Sequence, residues 1–241
     1  MANKFYLIGV LGGMGPAATV DFVNKVIALT GAASDQDHLP VLIASIPDVP
    51  DRTAALLHQG RSPVETLIRY RTLLENAGAQ CIVMPCNTAH FWFDEVKKGS
   101  QAEMLSIVDA VVGEVKAANY QRVGVMATDG TMAAGFYQRQ LERHRIDYVL
   151  PDEVQQKEIM RSIYLFKAGE PEEAMALMEK QYQQLAAKNV DGVILGCTEI
   201  PIILAAAIRE NPKHFIDSNA ALARATIAWY EEKMGRSYLS D

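Results

Sequence analysis

Two of the three cysteines stand at the ends of short apolar runs and are followed by small polar residues. Asn87 and Thr88 follow Cys86, and Thr198 follows Cys197. Ligands of open α/β sheets bind at the carboxyl ends of strands, so both cysteines are predicted to face a binding site. Asn87, Thr88 and Thr198 are good helix N-cap residues. A helix start at each position would favour a bound carboxylate and lower the pKa of the adjacent thiol.

Such a pair of thiols suits proton transfer on two faces of one small molecule. Racemisation of an amino acid needs one thiolate to remove the α-proton and one thiol to return a proton on the opposite face. The α-proton is a very weak acid, so hydrogen-bond donors must hold the carboxylate where charge develops. Small hydroxyl and amide side chains and backbone N–H groups supply such donors without steric bulk.

Cysteines also occur as buried core residues, metal ligands and redox pairs. Cys81 lies inside an apolar run and is predicted to be core. Cys86 and His90 are spaced i, i+4, and Cys197 would add a third metal ligand, but the close Cys-x₂-Cys pairs usual in zinc sites are absent. The sequence also lacks a Cys-x-x-Cys redox motif. We therefore predict no metal, and keep a non-catalytic amino-acid-binding or metal-binding protein as an alternative.

The elements that would position the cysteines alternate between strands and helices. Stretches 62–78 and 170–188 read as amphipathic helices, with Pro63 and Pro171 near their starts and Gly78 and Asn189 as their stops. Short runs rich in Val, Ile and Leu are typical of parallel strands buried on both faces. These runs are Phe5–Leu11, Pro40–Ile46, Cys81–Met84, Arg122–Met126 and Gly192–Leu195. The alternation predicts an α/β fold with mainly parallel sheets.

The chain also repeats itself weakly. The segment from Gly9 aligns with that from Gly124 at an offset of 115 residues, and the segment around Cys86 aligns with that around Cys197 at an offset of 111. Two features in the same order predict two pseudo-symmetric domains, with an active site in the cleft between them. We place the first domain at residues 1–115 plus 211–241 and the second at 116–210. The last helix, near Ser218–Met234, is expected to cross back to the first domain.

Three further segments are candidates for ligand contact. The glycine-rich turn 12–16 lacks the Gly-x-Gly-x-x-Gly spacing of a dinucleotide loop, and reads as a tight turn whose backbone meets a ligand. Arg52 follows the second strand and has the fork geometry that binds a carboxylate. Lys167 lies at a predicted helix end. From the residues alone, both cations also fit ordinary surface positions.

Composition excludes several classes of partner. The 241 residues carry a net charge of −6, which argues against nucleic acid and membrane surfaces but permits an anionic small molecule held by a local cation. No apolar run approaches the length of a transmembrane helix. The short apolar run at the N-terminus leads into a glycine turn and not into a signal-peptide cleavage site. We expect a cytoplasmic protein with reduced thiols.

The ordered motifs resemble those of the aspartate/glutamate racemase family and span nearly the whole chain. They are Gly12-Gly-Met-Gly-Pro16, Pro50-Asp-Arg-Thr53, Pro85-Cys-Asn-Thr-Ala-His90, Lys167-Ala-Gly169 and Gly196-Cys-Thr-Glu199. The resemblance implies a pyridoxal-independent racemase, with no cofactor, that acts on a small-molecule amino acid and forms a homodimer.

The resemblance also implies roles for single residues. Cys86 and Cys197 would be the catalytic pair, and Arg52 and Lys167 would hold the side-chain carboxylate. The α-carboxylate and amino group would be bound by Met14, Gly15, Asn87, Thr88, Thr131 and Thr198, with Glu199 beside them.

Glu199 departs from the related glutamate racemases, which have a histidine after Gly-Cys-Thr. This departure favours the aspartate-type branch. A broad-specificity racemase of neutral amino acids is the main alternative function.

Overall fold

The computed structural model describes residues 6–235 and contains two parallel β-sheets of four strands each. The first sheet has the order β2-β1-β3-β4 and the second the order β6-β5-β7-β8. When the strands are numbered within each half, both sheets have the same strand order. The predicted α/β fold with two pseudo-symmetric parallel sheets is therefore confirmed. The strands are β1 (Leu7–Gly12), β2 (Val41–Ser45), β3 (Ala79–Val83), β4 (Glu103–Leu105), β5 (Arg122–Ala127), β6 (Asp147–Val149), β7 (Gly192–Gly196) and β8 (Phe215–Asp217).

Helices follow the strands and cover both faces of each sheet. Short 3₁₀ helices lie at Asp35–Asp37, Thr88–Trp92 and Pro212–His214. Within residues 6–235 no helix has both the length and the apolar character needed to cross a bilayer. The α-helices are α1 (Pro16–Thr30), α2 (Arg52–Leu56), α3 (Val64–Asn76), α4 (Phe93–Lys97), α5 (Ile107–Ala117), α6 (Asp129–Ala134), α7 (Phe136–Arg143), α8 (Glu153–Ala168), α9 (Pro171–Ala186), α10 (Ile200–Ile203), α11 (Ala205–Glu210) and α12 (Ser218–Met234).

All five predicted strands are present as β1, β2, β3, β5 and β7, with ends that differ by a few residues. Phe5, the first residue of the first predicted strand, lies outside the described residues. The strands β4, β6 and β8 were not predicted; they have three residues each and lie at the edges of the sheets. Three residues are too few to show the period of a strand.

The two helices predicted from their ends are confirmed. In α3 the Ser62 hydroxyl accepts a hydrogen bond from the Val64 N–H at 3.3 Å. Gly78 follows α3 in the left-handed region, with φ of +97°. Asn189 ends the segment after α9 with φ of +58°. These residues terminate helices because they adopt left-handed backbone conformations more readily than most residues.

The largest buried cluster lies between the two sheets and is shared by both halves. Val10 of β1 and Val125 of β5 are both fully buried in it, together with side chains of α1, α5 and α12. The outer faces are covered separately: Leu67 of α3 packs over the first sheet, and Ile159 of α8 packs over the second. Because the central core is common to both sheets, it fixes the two halves against each other.

The last helix crosses back to the first half as expected. The Asn219 side chain in α12 donates to the Ala18 carbonyl at 3.0 Å, and the Trp229 indole N–H donates to Glu103 at 2.7 Å. β8 pairs with β7 in the second sheet, and its residues fall in the segment assigned to the first domain. The predicted division at residues 115 and 210 stays a prediction.

Candidate active site

Cys86 and Cys197 line one small cavity at the carboxyl ends of the two sheets. Cys86 lies shortly after β3 and Cys197 directly after β7, so the two halves contribute one thiol each. Both residues are 5% exposed, and the cavity volume is about 30 Å³. A volume of that size accommodates one or two water molecules. The lining residues are Met14, Asp51, Arg52, Thr53, Cys86, Asn87, Thr88, Thr128, Lys167, Cys197, Thr198 and Glu199.

The structure brings nearly all of the predicted site residues to this cavity. Gly15 and Thr131 lie just behind its wall: a Cβ on Gly15 would come within 3.2 Å of Glu199 Oε1, and Thr131 is hydrogen-bonded to Thr88. Asp51, Thr53 and Thr128 also line the cavity and were not predicted as site residues. Asp51 and Thr53 flank Arg52 in the segment Pro50-Asp-Arg-Thr53, and this position beside a predicted site residue was the available signal.

Cys197 lies beside a buried carboxylate. Its thiol donates to Glu199 Oε2 at 3.1 Å, and Lys167 Nζ lies 3.4 Å from Glu199 Oε1. The Glu199 side chain is 4% exposed, while that of Lys167 is 37% exposed. Burial, and next the Glu199 charge, raise the pKa of Cys197 well above its usual range, and the Lys167 charge opposes this rise. The expectation that a helix start lowers this pKa is therefore wrong, because burial and the Glu199 charge outweigh the effect of α10, which has only four residues.

Cys86 lies beside a buried neutral histidine. The Nδ1–H group of His90 donates to the Cys86 carbonyl at 2.8 Å, and Nε2 accepts from the Ile107 N–H at 3.0 Å. This tautomer follows because Ile107 N–H is necessarily a donor. Burial lowers the pKa of His90 to about 4, against the opposing effect of the Cys86 carbonyl. His90 therefore fixes the backbone at Cys86 without placing a charge there.

The same two bonds bear on the metal alternative. Both ring nitrogens of His90 are already occupied by backbone groups, so the ring presents no free ligand to Cys86 or Cys197. Among residues 6–235 there is no group of three His, Cys, Asp or Glu side chains arranged to hold a metal ion. Cys81 is fully buried in the shared core, where burial raises the pKa of its thiol to about 12.

The small polar residues after Cys86 join the two halves instead of capping a helix. Thr88 Oγ1 lies 2.9 Å from Thr128 Oγ1 and 3.0 Å from Thr131 Oγ1. Thr128 and Thr131 belong to the start of α6 in the second half. The predicted capping role of Thr88 is wrong, because the chain after Cys86 forms a 3₁₀ helix in which this hydroxyl faces the other half.

The side chains of Asn87 and Thr198 also bind distant segments of the chain instead of capping a helix. The Asn87 amide donates to the Ser218 hydroxyl at 2.9 Å and its oxygen accepts from the Tyr137 hydroxyl at 2.5 Å. The Thr198 hydroxyl donates to the Pro85 carbonyl at 3.4 Å. Neither side chain forms a cap hydrogen bond. Both contacts span the boundary between the halves, so the site is built from groups far apart in sequence.

Arg52 presents a partly free guanidinium to the cavity. Its Nη1 donates to the Val49 carbonyl at 3.0 Å and to the Pro50 carbonyl at 3.1 Å. Its Nε is buried without a hydrogen-bond partner among the described residues. An unpaired buried donor is costly, so this geometry favours an anionic group of a ligand at that position.

The glycine-rich turn is held by a hydrogen bond to α1, and its residues Met14 and Gly15 lie at the cavity. Gly13 has φ of +87°, and its N–H donates to Thr19 Oγ1 at 2.9 Å. A Cβ at Gly13 would lie 2.3 Å from the Ile46 carbonyl oxygen, so only glycine fits. The prediction of a tight turn with Pro16 at the first position of α1 is confirmed.

Comparisons with known proteins all find similarity to amino-acid racemases and their relatives. A family model described as Asp/Glu/Hydantoin racemase matches residues 11–226. The broad specificity amino-acid racemase RacX of Bacillus subtilis is 29% identical over 228 residues, covering 93% of this chain and 98% of that protein. The structure of Picrophilus torridus aspartate racemase matches with a TM-score of 0.86 and 32% identity, covering 98% of this chain and 96% of that one. An aspartate racemase homologue from Pyrococcus horikoshii OT3 matches with a TM-score of 0.74 and 25% identity, covering 94% and 99%.

Proposed function

This chain belongs to the Asp/Glu/Hydantoin racemase family, and we propose that it interconverts the L and D forms of an acidic amino acid, aspartate or glutamate, by a two-base mechanism. It is an amino-acid racemase, as its relatives and neighbouring structures indicate. The observation that carries the proposal is that Cys86 and Cys197 line one cavity from opposite halves.

In the proposed mechanism each thiol serves one face of the substrate. One cysteine thiolate takes the α-proton, so the Cα–H bond breaks and an S–H bond forms. The other cysteine then gives its proton to the opposite face of the carbanion and becomes the thiolate. No cofactor takes part in either transfer, because both protons come from or go to the two sulfur atoms.

The α-carboxylate is assigned to donors in the cavity wall. Thr88, Thr198 and Met14 line the cavity and are the proposed contacts of the α-carboxylate. Asn87 and Thr131 also belong to this predicted set, and they would act by holding these groups in place through the hydrogen bonds between the halves. Donors fixed before the reaction stabilise charge that develops on the carboxylate as the α-proton leaves.

Arg52 supports an acidic substrate. Arg52 lines the cavity, its Nε has no hydrogen-bond partner among the described residues, and a guanidinium binds a carboxylate in a bidentate manner. Lys167 is the second cation, but Glu199 lies 3.4 Å from it and offsets its charge. Arg52 is therefore the main determinant of recognition for a side-chain carboxylate.

The cavity wall is tight where the two halves meet: a Cβ on Gly130 in α6 would lie 2.8 Å from Thr88 Cγ2 and 3.0 Å from Thr53 Oγ1. Residues of both halves therefore shape the space that a substrate would occupy.

The test is proton NMR of L-aspartate and L-glutamate in D₂O with reduced protein and no pyridoxal phosphate. We expect loss of the α-proton signal, with the D enantiomer appearing on chiral analysis. Absence of exchange with both acids, together with exchange of neutral amino acids in the same assay, would contradict the acidic substrate.

A second candidate is a broad-specificity racemase of neutral amino acids. It is favoured by the partly neutralised Lys167 and by the likeness to the Bacillus subtilis protein. The variant Arg52→Ala separates the two functions. If the enzyme acts on acidic amino acids, kcat/KM for these substrates should fall about 10²-fold, because the side-chain carboxylate of the substrate loses the guanidinium that binds it. A broad-specificity enzyme should keep its turnover of neutral substrates.

We also propose a cytoplasmic homodimer, as the family resemblance implies. Sedimentation equilibrium of the reduced protein tests the assembly, and a monomer at all concentrations would contradict it. Reaction of all three thiols with a labelling reagent after unfolding, without prior reduction, tests the reducing environment.

A further inference from the structure

Glu199 is a buried carboxylate placed between a thiol and an ammonium group. Its Oε2 accepts the Cys197 thiol hydrogen at 3.1 Å, and its Oε1 forms an ion pair with Lys167 at 3.4 Å. Oε1 has no hydrogen-bond partner within residues 6–235. The carboxylate is therefore oriented by Cys197 on one side and only loosely by Lys167 on the other.

The fold leaves room for this carboxylate at the cavity wall. A Cβ at Gly15 would come to 3.2 Å from Glu199 Oε1, so a larger residue at position 15 would press on the carboxylate. At Cys86 the neighbouring titratable side chain is His90, which is hydrogen-bonded to the backbone carbonyl and not to the thiol. The two cysteines thus differ in the charge next to their sulfur atoms.

We propose that Glu199 is a positioning residue that keeps the proton on Cys197 in the resting enzyme, so that Cys86 is the base in the first proton transfer. The proposal rests on the proposed two-base function and deepens it by assigning the resting state of each thiol. A carboxylate accepts a hydrogen bond from a thiol but repels a thiolate at the same position.

The proposal makes the catalytic cycle asymmetric. From the resting state, the Cα–H bond breaks as Cys86 gains a proton, and the Cys197 S–H bond breaks as the opposite face of Cα gains one. The cycle then ends with a Cys86 thiol and a Cys197 thiolate beside Glu199. The resting state returns either by turnover in the reverse direction or by transfer of one proton from Cys86 to Cys197 through solvent.

Charged and titratable groups from several elements face this position. Lys167 on α8 and Arg52 on α2 bring positive charge, and Lys167 lowers the pKa of Cys197. Asp51 before α2 brings negative charge at the exposed rim, and Tyr137 on α7 is buried near Cys197. Any pH dependence of Cys197 must therefore be assigned by comparing substitutions, and not from one profile.

The test is the pH dependence of alkylation at each cysteine in the whole protein. Iodoacetamide reacts with thiolates, and peptide mass spectrometry gives the rate at Cys86 and at Cys197 separately. In the wild type we expect Cys197 to react more slowly than Cys86. In Glu199→Gln we expect the Cys197 midpoint to fall by about one pH unit, which makes alkylation below the midpoint about tenfold faster.

Two further variants separate electrostatics from structural damage. Lys167→Met removes the opposing positive charge and should move the Cys197 midpoint upward, opposite to Glu199→Gln. Asp51→Asn removes a carboxylate from the exposed rim while keeping the cap of α2, and should leave the Cys197 midpoint nearly unchanged. Opposite shifts in Glu199→Gln and Lys167→Met support the proposal. An unchanged midpoint in Glu199→Gln, shifts of the same sign in both variants, or an equal shift in Asp51→Asn would overturn it.

The alkylation result is independent of turnover, so it distinguishes this proposal from the proposed function. Racemisation without the alkylation shift would remove only the role of Glu199. The alkylation shift without any racemisation would remove the two-base function and leave the electrostatic role.

Discussion

The two ends of the cavity share a backbone design but differ in electrostatics. Each end has a strand of a parallel sheet, a cysteine and a short turn. At Cys86 the neighbouring titratable side chain is the neutral His90, whose ring binds backbone groups. At Cys197 it is Glu199, whose carboxylate binds the thiol and forms an ion pair with Lys167.

The difference shows that repetition of a fold does not repeat the chemistry of a site. Backbone topology follows from the pattern of strands and helices, which is similar in both halves. The protonation of each thiol depends on one or two neighbouring side chains, and these differ between the two halves. The proposed two-base mechanism needs one thiol and one thiolate at any moment, and unequal surroundings favour one of the two assignments.

The largest effect should come from removing either thiol. We expect Cys86→Ser and Cys197→Ser each to reduce racemisation by about 10²- to 10⁴-fold, because a serine hydroxyl is a much weaker acid than a thiol and is almost never ionised to act as the base. Chiral analysis of the product measures the loss. Equal losses would show that both ends of the cavity are required in each direction, despite their different surroundings.

Cys81→Ala is the matched control for these two variants. Cys81 lies in the shared core and does not line the cavity, so this variant should keep its racemisation rate. Near wild-type activity in either Cys86→Ser or Cys197→Ser would contradict the two-base mechanism.

The next effect concerns pH and the Cys86 end. Burial lowers the pKa of His90 from 6.5 to about 4 in the folded protein. Between these values the unfolded chain binds more protons than the folded one, so stability is highest above about pH 6.5 and falls toward pH 4. The expected loss is about 3 kcal/mol over this window. Urea unfolding at several pH values measures it.

His90→Gln provides the comparison for this pH effect. Glutamine keeps a donor and an acceptor but does not titrate. Between pH 6.5 and pH 4 the free energy of unfolding of this variant should therefore fall by about 3 kcal/mol less than that of the wild type. Parallel curves for the wild type and His90→Gln would show that His90 does not remain neutral in the folded protein.

Much of the fold was predictable from sequence because its determinants are local. Five strands are apolar runs, and α3 and α9 have proline near their starts and end near Gly78 and Asn189. The strand-end position of Cys86 and Cys197 followed from the same patterns. The short strands β4, β6 and β8 could not be predicted, because segments of three residues are stabilised as strands mainly by pairing with their neighbours in the sheet.

The contacts of the site were less predictable because they join distant segments. Thr88 was assigned to a helix cap, yet its partner Thr128 is 40 residues away. Asn87 meets Ser218 across 131 residues. The lowered pKa expected for Cys197 was wrong because burial and the Glu199 charge outweigh a helix of four residues. Local sequence patterns do not predict how the two halves pack against each other.

The smallest expected effect tests the hydroxyl contacts that join the two ends of the site. Thr88→Val keeps the side-chain shape but removes the hydroxyl that meets Thr128 and Thr131 from the other half. We expect a loss of about 1–2 kcal/mol in the free energy of unfolding, because two buried hydroxyls lose a partner. Thr226→Val is the control, since the Thr226 hydroxyl donates only to the Leu222 carbonyl within α12. Urea unfolding should show a smaller loss for Thr226→Val. Equal losses would mean that the contact across the halves contributes no more than a bond inside one helix.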